Sequence, residues 1–198
     1  HVFGHNVMSW DSLLYAYLFS YNFVPRELYT GFMGHTWSLA VEEQYYLIYP
    51  FLFPLALKVR SRFLQAGGFI FLFLVPLAAR VYYASHLPYE TAKDVTYYRF
   101  ECRFDALLTG ILCAWIYRRP FFKEIAKRSF FLSAGALLLL GLGFFLPPLL
   151  SPFVRMTYYF DLIYAGFALL LLASLAESSA VSRFFSSPIF RPLARLSY

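Results

Sequence analysis

The run "ALLLLGLG" at residues 136–143 decides what kind of fold this chain can adopt. It shows no alternation of polar and apolar side chains, whereas a membrane strand would alternate, because successive residues of a strand point to opposite faces. The surroundings of the run are hydrocarbon by composition: 60% of the 198 residues are hydrophobic, 22% aromatic and only 14% charged. Such a chain lacks the polar residues to cover a soluble surface, and despite a net charge of +6 it lacks the hydrophilic basic faces of a nucleic-acid binder. In lipid every backbone polar group must be satisfied internally, so only helices or closed barrels remain, and the unbroken run selects helices.

Working outward, residues 129–146 are one of five segments that approach the roughly 20 residues needed to cross a bilayer. The others are 38–57, 67–84, 96–117 and 157–176, and a shorter, more polar sixth is 9–24. The predicted fold is an all-α membrane protein, a bundle of five to six transmembrane helices forming part of a larger helical bundle. Basic loops give direction. Lys58, Arg60 and Arg62, then Arg118, Arg119, Lys123, Lys127 and Arg128, then Arg183, Arg191 and Arg195 place 11 of the 17 bases on one, cytoplasmic, side. The opposite loops hold Arg26, Lys93, Arg99 and Arg155, offset by Glu27, Glu90, Asp94 and Glu101. Topology explains the basic loops before any donor-phosphate site is invoked.

Cys102 and Cys113 fall within the 96–117 segment, about 16 Å apart along a helix axis, and cannot bridge one another. There is no CxxC, HExxH or glycine-rich phosphate loop, and no metal site is expected.

Six ionisable residues lie near the outer ends of the spans: Glu42, Glu43, Arg80, Arg103, Asp105 and Asp161. Each costs on the order of 2.5–3.5 kcal/mol at a helix centre, which favours one shared polar cavity over six accidents. Residues three, four and seven apart share a helix face. Glu42 therefore lies on a stripe with His35, Ser38, Tyr45, Tyr46 and Tyr49, while Glu43 is rotated by about 100° toward Leu39, Leu47 and Pro50. Glu42 is the candidate functional acid, and Glu43 reads as a first-turn acid favoured by a helix N-terminus. Arg80 reads as snorkelling to the interface. Asp105 aligns with Glu101 and Thr109, and Arg103 with Leu107 and Gly110, so each seeks its partner elsewhere. Asp161 either caps its helix or answers Arg155, and His35 is either an interfacial hydrogen-bonder or a reactive base. Asp11 reads as a first-turn acid, His1, His5 and His86 as loop residues, and most tyrosines as an interfacial belt.

Two stretches carry more than composition: "HTWSLAVEEQYYL" at 35–47 and "RFDALLTGILCAW" at 103–115. Trp37, Ser38, Leu39, Glu42, Gln44, Tyr45 and Tyr46 in the first, with Arg103, Asp105, Leu107 and Gly110 in the second, resemble the motifs of the acyltransferase 3 family. These are bacterial inner-membrane, multi-pass O-acyltransferases that modify polysaccharide, lipopolysaccharide or other glycosides. The resemblance implies one transmembrane acyltransferase domain over 1–198, acyl-coenzyme A (commonly acetyl) as donor substrate with no bound cofactor, a carbohydrate hydroxyl as acceptor, and no nucleic-acid partner. It assigns catalysis to Glu42, Arg103 and Asp105, and substrate contact to His35, Trp37, Ser38, Tyr45 and Tyr46. The family's proposed catalytic histidine, on its first helix downstream of an arginine, has no counterpart here, nor has the arginine pair that follows. "LARLSY" at the end is similar to the start of a further family segment. The chain is expected to be a fragment, inactive by itself.

A rival from another class is a transporter or flippase with a polar cavity near the outer face. Transporters break their helices at the midplane, whereas here the charges sit toward one end and the long runs are interrupted only at Pro50, Pro54 and Pro76. An inert scaffold would leave the clustered charges unexplained.

Overall fold

Helix α1 begins where Ser9 accepts a hydrogen bond from the Ser12 amide at 3.1 Å, with Asp11 in its first turn as the positive end of a helix favours. The structure, a computed structural model, describes residues 9–176, 179–190 and 192. His1, His5, Arg191, Arg195 and the "LARLSY" segment lie outside the described residues, and every regular element among those described is helical. The chain divides into two compact units, 1–107 and 108–198.

In the first unit, residues 9–24 are not one continuous helix. Helix α1 covers only Trp10–Tyr17, and a 3-10 turn follows at Tyr21–Phe23. Between them Phe19 adopts a φ of 50°, which an α-helix cannot propagate. Two further 3-10 turns, Arg26–Leu28 and Gly31–Met33, lead into α2 (Thr36–Lys58), which carries Pro50 and Pro54, and α3 (Arg62–His86), which carries Pro76. Within α3, Phe63–His86 is the one helix among the described residues that is both long and apolar enough to cross a membrane.

The segment 96–117, expected as one helix, is broken. Helix α4 (Tyr89–Tyr98) ends at Arg99 in an extended conformation, a 3-10 turn spans Phe100–Cys102, and α5 (Asp105–Tyr117) starts afresh. At the break Arg99 and Glu101 pair with each other while Asp105 pairs with Arg80. Cys102 and Cys113 consequently sit on different elements, both buried and both free.

Completing the second unit are α6 (Phe122–Lys127), α7 (Ser129–Phe145), α8 (Pro152–Met156), α9 (Tyr159–Leu175) and α10 (Ala180–Phe185). Helices α7 and α9 run antiparallel, with Gly135 facing Leu169, Gly166 facing Leu140, and Gly143 facing Ile163. Small residues here let the backbones approach closely. A Cβ on Gly166 would stand 2.9 Å from Leu140 Cγ and 3.3 Å from Leu139 Cβ. The Tyr159 hydroxyl donates to the Gly143 carbonyl at 2.9 Å, and Cys113, Phe122 and Leu172 form the buried core. Helices α7 and α9 have 17 residues each and rise about 26 Å, somewhat short of a hydrocarbon core of about 30 Å.

Candidate active site

The first unit contains a buried ion pair. Arg80 of α3 has no solvent exposure and donates from Nη1 to Asp105 Oδ2 at 2.6 Å and to the Cys102 carbonyl at 2.8 Å. Asp105 Oδ1 accepts from the Ala106 amide at 3.0 Å, so the same carboxylate opens α5 and closes the ion pair. Arg80 therefore does not snorkel: it is buried, and its Nη1 meets a carboxylate and a carbonyl where interfacial water was expected. The second partner, the Cys102 carbonyl, exists only because the backbone leaves the helix there.

This clamp places the turn from which Arg103 projects. Its guanidinium carbon lies 5.2 Å from the centroid of the Tyr97 ring on α4 and 5.7 Å from that of Trp37 on α2. A guanidinium over an aromatic face is attracted by the ring quadrupole, more strongly where water is excluded. Trp37 also meets Tyr97 at 5.1 Å and Tyr98 at 5.5 Å, and the cluster continues through Tyr29 to Tyr21. Glu101 leaves the line on which it was expected to join Asp105 and instead receives the Tyr83 hydroxyl at 3.1 Å and Arg99 at 3.6 Å. The outer acids do offset Arg26, which lies 3.4 Å from Glu90 and 3.6 Å from Asp94.

Helix α2 presents two faces. Ala40 and Val41 are buried, with Trp37 and Gln44 half-buried beside them. His35, Ser38, Glu42 and Tyr46 are exposed, so the polar stripe is accessible, whereas the Arg80–Asp105 pair is sealed. Tyr45 stacks on Tyr49 at 5.4 Å and meets Tyr46 edge-on at 6.1 Å. Ser38 Oγ donates to the His35 carbonyl at 3.1 Å. Of the candidate residues in the first unit, Asp105 thus lies in a sealed pair with Arg80, Arg103 among aromatic rings, and Glu42 on an accessible face. Asp161 belongs to the second unit, in the first turn of α9.

Gln44 is the motif residue whose role becomes visible only in three dimensions. Its Nε2 donates to the Phe19 carbonyl at 2.8 Å and to Asn22 Oδ1 at 2.9 Å, and its Oε1 accepts from Asn22 Nδ2 at 3.1 Å. The reciprocal amide pair ties the segment after α1 to α2. Gln44→Ala is expected to lower stability by about 1–3 kcal/mol, since Asn22 is 4% exposed and would lose its partner. Thermal unfolding of the purified chain checks this, and an unchanged melting temperature would dismiss the pair as incidental.

A protein-family model described as an acyltransferase domain matches residues 1–198, the whole chain. The chain belongs to the acyltransferase 3 family. No match was found among curated proteins or among solved structures. Membership in this acyltransferase family assigns acyl transfer to a hydroxyl as the chemistry, and the family is membrane-associated, in keeping with the apolar Phe63–His86 helix. Sequence reasoning had singled out Arg103 and Asp105 of the acyltransferase motif but missed Arg80 as the partner of Asp105 and Tyr97 as a second ring for Arg103. A signal was available for the first: Arg80 is the lone base inside the apolar stretch 67–84.

Proposed function

We propose that the protein is a multi-pass inner-membrane O-acyltransferase of bacteria, one of five to six or more helices. It takes an acyl group, most simply acetyl, from acyl-coenzyme A at the cytoplasmic side and transfers it to a hydroxyl of a cell-surface or exported glycan. The observation that carries this reading is the family match over the whole chain, 1–198.

In the reaction the acceptor hydroxyl oxygen attacks the thioester carbonyl, its proton passes to a base, and the thiolate leaves with a proton as the ester forms. Such a step needs a base for the hydroxyl and positive or N–H groups for the oxyanion. A histidine, as the family resemblance implies, takes the proton. Glu42, accessible on the stripe with Ser38 and Tyr46, orients that imidazole and stabilises its protonated form, as a carboxylate does in a triad. Arg103 supplies positive charge at the aromatic cluster. Asp105 acts at one remove, as a positioning residue that holds the turn bearing Arg103 through Arg80. His35, Trp37, Ser38, Tyr45 and Tyr46 contact the acceptor.

Membranes containing the full-length protein, supplied with acyl-labelled acyl-coenzyme A, are expected to transfer label to a glycan fraction in a form released by mild alkali. Absence of labelled ester from membranes rich in the folded protein would reject the reading.

A further inference from the structure

The second unit holds a cavity of about 730 Å³ between the end of α5, α6 and the end of α9, which the reaction above does not use. Its size lies within the range of small-molecule sites, roughly 300–1,000 Å³. Phe122, Ala126, Leu175 and Ala176 line it with apolar surface, and Phe122 belongs to the buried core. Arg118, Arg119, Lys123 and Lys127 line it with charge. Lys127 is matched by Glu124, whose carboxylate lies 2.7 Å from its ammonium. Arg118, Arg119 and Lys123 have no carboxylate partner among the described residues, and Arg119 instead rests 4.4 Å from the centroid of the Trp115 ring.

The positive-inside rule accounts for how many bases this loop carries, because that rule counts charges. It does not require them to line one concave, apolar-walled space, nor two of them to be arginine. That combination suits a doubly charged oxyanion: guanidinium forks bind phosphate bidentately, and lysine adds a point charge. Tyr117, packed edge-on against Phe122 at 5.3 Å, offers a ring beside the bases for the uncharged part of the same molecule.

We propose that this cavity binds a phosphate-bearing ligand, with its phosphate held by Arg118, Arg119 and Lys123. Two sources share that chemistry: the phosphates of the coenzyme A donor, which rests on the acyl-donor reading above, and the headgroup of an anionic phospholipid, which does not.

The test uses the full-length protein in phosphatidylcholine nanodiscs, titrated with radiolabelled coenzyme A. A parallel arm contains phosphatidylglycerol, with retained lipid counted by native mass spectrometry. Arg118→Lys/Arg119→Lys keeps every charge and therefore the topology while removing the forks, and Arg119→Glu/Lys123→Glu reverses the field. Coenzyme A binding weakened about tenfold by the lysine pair, and further by the reversal, identifies the nucleotide as the ligand. Phosphatidylglycerol retention lost in the same order identifies the lipid. If neither probe responds to either variant, the bases serve topology only and the proposal falls. Coenzyme A binding that depends on these bases, without acyl transfer, would fail the acyltransferase reading alone. Acyl transfer with probe binding indifferent to them would fail this proposal alone.

Discussion

Arg80→Leu is expected to destabilise the protein by about 3–5 kcal/mol, because it leaves the Asp105 carboxylate buried without its counter-charge. Both side chains are shielded from solvent, at 0% and 1% exposure, so no water can take over the role of the guanidinium. For a chain of this size the loss corresponds to a fall of roughly 6–20 °C in melting temperature. Asp105→Leu should behave alike, stranding Arg80 and removing the carboxylate that meets the Ala106 amide. The double variant Arg80→Leu/Asp105→Leu should recover most of the stability, since replacing both members of a buried pair by apolar groups is often close to neutral. Thermal unfolding of the four proteins in one detergent closes the cycle. A double variant as unstable as the sum of the singles would show that the two charges are not energetically coupled. Acyl transfer should not recover in the double variant, because the turn bearing Arg103 loses the Cys102 carbonyl contact along with the ion pair.

Glu42→Gln in the full-length protein is expected to reduce acyl transfer by about 100- to 10,000-fold with normal expression and an unchanged melting temperature. The amide keeps the size of the side chain but cannot stabilise a protonated imidazole. Stability should not change, because Glu42 is exposed and makes no hydrogen bond or ion pair with other described residues. Glu43→Gln, one residue on but rotated away from Ser38 and Tyr46, should leave the rate within about threefold of the parent. Equal losses in the two variants, or none in either, would remove Glu42 from the mechanism. A drop confined to acceptor KM would recast it as a binding group.

Five apolar segments could be read directly from hydropathy, and α2, α3, α7 and α9 form close to where the runs of apolar residues put them. The reading failed at 96–117, where average hydropathy outweighed local charge. The apolar length lies chiefly from Phe104 on, and before it the backbone leaves the helix where Arg99 and Glu101 pair with each other and Asp105 meets Arg80. At 9–24 the apolar content was real, yet Gln44, contributed from a helix 25 residues further on, captures the Phe19 carbonyl and fixes a non-helical turn. Helical spacing did separate Glu42 from Glu43. What it could not say was that the Glu42 stripe stays exposed while Arg80 and Asp105 are sealed, because spacing orders residues on one helix and carries no information about which neighbour each face meets.

By itself, then, the sequence determined the helical class, the membrane-like composition, the two acyltransferase motifs and the polar stripe of α2. The motifs were legible through their resemblance to a known family; the other three follow from composition or from local periodicity, where the interacting residues lie within one or two turns. Only the tertiary structure decided that Arg80 partners Asp105, that Arg103 rests on Trp37 and Tyr97, and that bases of 118–127 line an apolar-walled cavity. Those contacts join residues far apart in the chain, and a charge leaving water has many candidate partners until packing brings one within hydrogen-bonding distance.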